Sequence, residues 1–343
     1  MPHHARNLKI LLAAACLACL TCLAATAQAA GFARVGPVAV WEPLFVGTRS
    51  ESMGQSDLAV SRGPMSIFDN PAPLPEGQAV QAGYGHLAYL AELDFHQYAA
   101  AVETGAFRIG LARMDFVSDS KLVRTAYQPD GTGETFRIDD RVMVIAGSMN
   151  VAALLAPGSP WDWTVGLAHR NYRFNSPEEV THVKGLDFGS SGRYRHRWQN
   201  TSLIASAAGV LRNIDDDHYV PENTRLGLGL ALAIDTEQSR EAIVLTVAYV
   251  FKDVRAADEY FGDRYYGAEL TLLQALSLRV GRDKQLFGGS SQYGLGLDVP
   301  RPWIEPFGVT LDWGSMKTGS LMSNGLTDES AFNMFSVTIR REM

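Results

Sequence analysis

Arg225–Ile234 reads RLGLGLALAI, and its side chains fall into two sets. Leu226, Leu228, Leu230, Leu232 and Ile234 form one set, and Arg225, Gly227, Gly229, Ala231 and Ala233 form the other. A period of two belongs to a β-strand, whose successive side chains point to opposite faces. Here one face is bulky and aliphatic and the other is small. That is the character of a strand with lipid on one side and a crowded lumen on the other.

The same arrangement recurs along the chain. Trp161, Trp163, Val165 and Leu167 alternate with Asp162, Thr164, Gly166 and Ala168. Ile243, Leu245, Val247, Tyr249 and Phe251 form another bulky set. So do Tyr293, Leu295, Leu297 and Val299, and Phe307, Val309, Leu311 and Trp313. Aromatic residues stand at the ends of these runs (Trp161, Tyr249, Phe251, Trp313), where a transmembrane strand places its interfacial girdle. About fourteen strands are expected. They begin near Gln78, Leu93, Gly105, Thr135, Trp161, Gly185, Thr201, Glu222, Glu241, Gly262, Ala275, Ser290, Trp303 and Ala331.

The connections alternate in length. Ser118–Glu134, Asn175–Lys184, Ile214–Pro221, Val254–Phe261 and Met316–Ser330 are long and polar, while Glu103–Gly105, His196–Asn200, Asp235–Arg240 and Val299–Pro302 are tighter. Long outer loops and short periplasmic turns mark a membrane barrel. The expected fold class is therefore all-β: a single antiparallel transmembrane β-barrel of about 14 strands over residues 77–343. A soluble secreted β-protein such as a sandwich also alternates, and it is kept as an alternative, but it gives no reason for that parity of loop length.

The N-terminus reads as an export leader. Arg6 and Lys9 precede an apolar run from Ile10 to Ala25, and Ala27-Gln28-Ala29 supplies a small-x-small cleavage pattern. Residues 1–29 are expected to be a secretory signal peptide. Cys16, Cys19 and Cys22 all lie within it, so the remainder carries no thiol for a disulfide or a thiolate metal site. Of 30 basic and 37 acidic residues, the leader removes only Arg6 and Lys9. The resulting acidic balance argues against nucleic acid as a partner. No second apolar run is long enough for a membrane helix. A membrane form must therefore be a closed barrel, expected in an outer membrane of the Gram-negative type.

Between leader and first strand lies a stretch with no period of two. Ala30–Phe45 is a lead-in expected to be extended or loosely ordered. Val46–Leu74, VGTRSESMGQSDLAVSRGPMSIFDNPAPL, is rich in small residues, with Pro64, Pro71, Pro73 and Pro75 towards its end. Ser56–Ser61 is expected to form a helical turn. Asp69-Asn70-Pro71 is expected to turn, because a residue before proline is pushed away from helix. Residues 30–76 are expected to form an N-terminal segment on the periplasmic side of the barrel or within its lumen.

The chain offers little catalytic chemistry. It has no G-x-S-x-G, H-E-x-x-H, P-loop or Rossmann glycine pattern. No enzyme activity, cofactor or metal is expected. Asp215-Asp216-Asp217-His218 carries hard oxygen ligands for a divalent cation, but a solvated outer loop has the same composition. His169 with Ser202 is a conceivable hydrolase-like pairing across strands, and nothing in their spacing selects it. Arg193, Arg195, His196 and Arg197 are either a solvated strand end or an anion-attracting patch at the pore floor.

Taken together, these stretches resemble the fatty-acid-transporter-like (FadL-like) outer-membrane barrels, in particular the PorV/PorQ-type branch. Gly47, Arg49, Met53 and Gly54 match the branch's glycine-rich opening. Asn70, Pro71 and Ala72, followed by Leu74, match its N-P-A element, with Pro73 where the family has glycine. Tyr84–Phe116 resembles its first strands. Gly209–Asn213, Val220-Pro221 with Arg225-Leu226-Gly227, Gly267-Ala268-Glu269 with Leu278-Arg279-Val280-Gly281, Gly294-Leu295-Gly296 and Leu311-Asp312-Trp313 resemble its later strands.

The resemblance implies that the N-terminal segment folds into the lumen as a hatch and that hydrophobic small molecules pass beside it. Gly47, Arg49, Met53, Gly54, Asn70, Pro71 and Ala72 are then its binding and gating motif. The implied partners are outer-membrane lipid and a hydrophobic ligand. Some members of the branch serve protein secretion instead, with secreted proteins or translocon subunits as partners, so an adaptor in secretion or surface attachment is the alternative.

Overall fold

The computed structural model describes residues 47–73, 76–89, 93–118, 121–122, 133, 135–175, 180–214, 223–236, 241–256, 259–283, 290–299, 304–318 and 331–343. The expected signal peptide, the lead-in Ala30–Phe45 and the Asp215–His218 fragment lie outside the described residues, as do most of Ser118–Glu134 and Met316–Ser330.

Sixteen strands follow one another: β1 (Gln78–Tyr89), β2 (Leu93–Thr104), β3 (Phe107–Ser118), β4 (Lys121–Leu122), β5 (Thr135–Phe136), β6 (Asp139–Asn150), β7 (Trp161–Asn175), β8 (Val180–Trp198), β9 (Thr201–Arg212), β10 (Asn223–Ile234), β11 (Ile243–Ala256), β12 (Glu259–Leu272), β13 (Leu276–Asp283), β14 (Ser290–Val299), β15 (Phe307–Thr318) and β16 (Ala331–Glu342). All but β4 and β5, a small separate hairpin, join one closed antiparallel barrel of fourteen strands. Each barrel strand pairs with its neighbour in sequence. The ring closes where β1 meets β16, with Ala79 opposite Glu342 and Leu87 opposite Met334. Closure leaves no unpaired edge, the condition for a sheet to cross a bilayer.

The period-two reading sets the faces. Leu226, Leu228, Leu230, Leu232 and Ile234 stand exposed on the outside of β10. Arg225, Ala231 and Ala233 are buried on the inside. The same split holds for Tyr293, Leu295 and Leu297 on β14 and for Leu311 and Trp313 on β15. An exposed belt of this kind, carried round a closed barrel, is the surface of a membrane-spanning barrel. Gln78 and Glu342 lie at one rim. The tight turns from Thr104 to Phe107, Trp198 to Thr201 and Leu272 to Leu276 share that rim, which is here called the inner rim. The opposite one is the outer rim.

Two expectations need correction. Asn175–Lys184 and Val254–Phe261 are largely strand rather than loop, with Asn175 paired to Val180 and Ala256 to Glu259. The inner connection after β6 is longer than the other inner turns. It holds the short helix α2 (Val151–Leu155), which follows α1 (Thr48–Ser52) in chain order. The Asn150 side chain caps α2 by accepting from Ala153 N at 3.0 Å.

Candidate functional site

Residues 47–73 run through the inside of the barrel. Helix α1 packs on β13, β14, β15 and β16, a 3₁₀ turn at Asp57–Ala59 packs on β9, β10 and β11, and a second at Pro64–Phe68 packs on β1, β2, β3 and β6. The segment thus touches the wall on all sides. Ser56–Ser61, expected as a helical turn, contains the first 3₁₀ turn; α1 and the Pro64–Phe68 turn were not signalled by any periodicity.

Small residues on the inner face make the close approach possible. A β-carbon added at Gly281 would lie 2.0 Å from Gly54 N and 2.2 Å from Met53 C. Gly54 has φ +64, and a β-carbon there would lie 2.6 Å from Arg282 N. Two glycines therefore meet backbone to backbone, and neither tolerates a side chain. On the other side of the lumen, a β-carbon at Gly166 would lie 2.2 Å from Pro71 O.

Arg49 is the centre of the polar contacts. Its Nε donates to Glu269 Oε2 at 3.1 Å and its Nη2 to Glu269 Oε1 at 3.0 Å, a fork-to-fork pair. Its Nη1 donates to Asp57 Oδ2 at 2.9 Å, and Asp57 Oδ1 accepts from Ser50 Oγ at 2.6 Å. Glu269 also accepts from Arg279 Nε at 2.6 Å and Arg62 Nη2 at 3.3 Å. Arg279 Nη1 reaches Asp312 Oδ1 at 2.6 Å. Three guanidiniums and three carboxylates compensate one another in a largely buried place, where an unpaired charge would be costly.

Asn70, fully buried, holds the turn that ends the segment. Its Nδ2 donates to Ser191 Oγ at 2.8 Å and Leu58 O at 3.3 Å, and its Oδ1 accepts from Ala72 N at 2.8 Å. The last bond is an Asx-turn. Asp69 pairs with Arg225 on β10. Arg170 donates from Nη2 to Phe68 O at 2.7 Å and from Nε to Asp187 Oδ2 at 2.5 Å. Arg108 Nη2 donates to Gly63 O at 2.7 Å. Wall arginines thus tie down backbone carbonyls that would otherwise be unpaired in the lumen.

The lumen differs above and below the segment. Towards the outer rim, inward side chains of β1–β3, β6–β8, β15 and β16 form an apolar cluster that includes Leu87, Phe95, Phe116, Phe332 and Met334 and is joined from below by Ile67 and Phe68, while Arg225 and Lys252 are buried on the inner face of β10 and β11. Towards the inner rim lies a polar cavity of about 260 Å³, bordered by Arg62, Asp298, Thr310, Thr338 and Arg340 as well as by Arg49.

Of the residues singled out from sequence, Arg49, Met53 and Gly54 meet the wall around β12–β15, and Asn70, Pro71 and Ala72 meet it around β7–β8. Gly47, in the left-handed region at φ +126, packs near Met65 and Gln97. The two groups occupy opposite sides of the lumen and do not form one cluster. Glu269, Arg279, Asp312, Arg170 and Arg225 were missed as functional positions. Their signal was a charge placed on the small-residue face of an alternating strand.

Other candidates fall away. His169 points outward and is exposed, whereas Ser202 is inward and buried, so they share no face. Arg193, Arg195 and Arg197 pair with Asp162, Glu241 and Asp235, which removes the excess charge an anion-attracting floor needs. Among the described residues, no group of three or more His, Cys, Asp or Glu side chains is placed to hold a metal ion.

No protein-family model and no curated protein matches the chain. Similar solved structures include the toluene transporter TodX of Pseudomonas putida, at 11% sequence identity and TM-score 0.46, covering 86% of this chain and 96% of that one. A FadL homologue of Pseudomonas aeruginosa is 9% identical at TM-score 0.43, covering 87% and 98%. CdiB of Escherichia coli is 11% identical at TM-score 0.42, covering 77% and 63%.

Proposed function

We propose that this protein is an outer-membrane barrel that admits hydrophobic small molecules, with residues 46–76 as its hatch and residues 1–29 removed on export. The observation that carries the reading is the division of the lumen. An apolar cluster faces the outer rim, Ile67 and Phe68 of the inner segment join it, and a polar cavity lies on the other side. An apolar solute is stabilised against the first set of side chains and not in the polar cavity. Passage then requires the segment between them to move, which means breaking its polar contacts and withdrawing Leu58, Ile67 and Phe68 from the apolar clusters they join.

The test is uptake into vesicles containing the reconstituted protein. An apolar aromatic probe should enter faster than a polar solute of similar size. Deleting Met53–Leu74 should raise ion conductance and remove that preference. Unchanged conductance together with unchanged uptake would overturn the hatch role. A finer placement in the PorV/PorQ-type branch rests on the sequence motifs, and it predicts secreted proteins co-purifying with the barrel.

A further inference from the structure

The outward face of β3, β6, β7 and β8 is not apolar up to the outer rim. Register partners run straight across these strands: Asp115 opposite Arg141, Arg141 opposite Arg173, and Arg173 opposite His182. The next row inward holds Arg113 opposite Met143, Met143 opposite Asn171, and Asn171 opposite Lys184. By strand parity all of these side chains point away from the lumen. The row below is Leu111, Ile145, His169 and Leu186, and these residues are exposed on the lipid belt.

Among the described residues, four permanent cations therefore lie on one patch: Arg113, Arg141, Arg173 and Lys184. Two described carboxylates, Asp115 and Asp139, share the face, and Asp140 at the end of β6 interacts with Arg173. Asp115 is already committed, accepting from Arg113 Nε at 2.8 Å and from Arg141 Nε at 2.8 Å, with its side chain only 10% exposed. The two arginines keep 44% and 30% of their own exposure. Basic side chains outnumber acidic ones on this face among the described residues. The patch lies at the polar edge of an apolar surface.

We propose that this patch binds the phosphate groups of a phosphorylated lipid of the outer leaflet. Guanidiniums match phosphate oxygens in pairs, and a basic cluster beside a lipid-facing surface is the arrangement that anionic headgroups select. The adjoining Leu111, Ile145 and Leu186 offer the acyl chains a surface in register with the headgroup site, which a free phosphate ion would not use. Asp115 acts as a resident counter-ion that the lipid phosphate competes with. The inference rests on the membrane placement of the barrel and is independent of what passes through its lumen.

The test is lipid titration of the full-length processed protein in detergent, read by native mass spectrometry, with diphosphoryl lipid A, its dephosphorylated form and phosphatidylcholine as probes. Diphosphoryl lipid A should bind at least tenfold tighter than the other two. The R173Q/K184Q variant should lose that preference, and D115N, which frees both arginines, should bind severalfold tighter. Heat-modifiable gel mobility reports folding, and D115N decides the matter alone if R173Q/K184Q fails to fold. Equal binding of the phosphorylated and dephosphorylated lipids, or unchanged affinity in D115N, would overturn the proposal. Displacement by inorganic phosphate at equal phosphate concentration would overturn the lipid as its occupant.

Discussion

Arg49 and Glu269, separated by 220 residues in sequence, meet as a bidentate ion pair that fastens the inner segment to β12. Glu269 answers three guanidiniums at once, so neutralising it leaves Arg49, Arg62 and Arg279 facing one another. Removing one partner of a buried pair costs about 3–5 kcal/mol. Glu269→Gln is expected to release the segment while the barrel ladder, which does not use this side chain, stays closed. Single-channel conductance in planar bilayers should rise. Arg49→Lys should give an intermediate result, since lysine keeps the charge and loses the fork.

The approach of Gly54 to Gly281 gives a steric test of the same contact. A methyl group at Gly281 would lie on the Gly54 backbone, which has no flexible end to move aside. Gly281→Ala is expected to weaken docking by about 1–3 kcal/mol. The chain has no cysteine after Cys22, so Ser61→Cys, at a buried position, makes a clean reporter. Thiol labelling should accelerate at least about tenfold in the alanine background. A labelling rate equal to that of Ser61→Cys alone would show that the segment does not need this contact.

Asn70 tests the other side of the lumen. Asn70→Ala removes bonds to Ser191, Leu58 O and Ala72 N, leaving buried partners unpaired at about 1–3 kcal/mol. Ser191→Ala removes one of the three. Hydrogen exchange across residues 58–72 should be faster in both variants and markedly faster in Asn70→Ala. The double variant should resemble Asn70→Ala, because both changes break the same bond.

The sequence made the wall legible and its contents much less so. Alternation in Arg225–Ile234 and its counterparts is imposed by lipid on one side, so fourteen strands can be counted from composition alone. Parity also settles His169, which falls in step with Trp161, Trp163, Val165 and Leu167 and must face outward, away from Ser202. The pairing of Arg49 with Glu269 has no such imprint. A charge on the small-residue face says that it points inward, but not which of the other inward charges it meets. Nor does the Val46–Leu74 stretch carry a period, and over residues 47–73 the conformation follows the wall it packs on. Of the residues that resemble a family motif, Gly54 meets that wall with its backbone and Asn70 with its side-chain amide.

Arg170 links the ionic and apolar parts of the lumen. It is fully buried, with Nε on Asp187 and Nη2 on the carbonyl of Phe68, whose ring lies in the outer apolar cluster. Lysine would keep the charge but cannot span both acceptors, because its donors sit on one nitrogen. Arg170→Lys is therefore expected to retain the pair with Asp187 and leave the Phe68 carbonyl unpaired, at a cost of about 1–3 kcal/mol. The barrel should keep its heat-modifiable mobility with a lower transition temperature. Uptake of an apolar probe should change in the same variant, since the floor of the apolar cluster is then less firmly held. An altered transition temperature with wild-type uptake would confine Arg170 to stability and separate the Phe68 carbonyl from any gating movement.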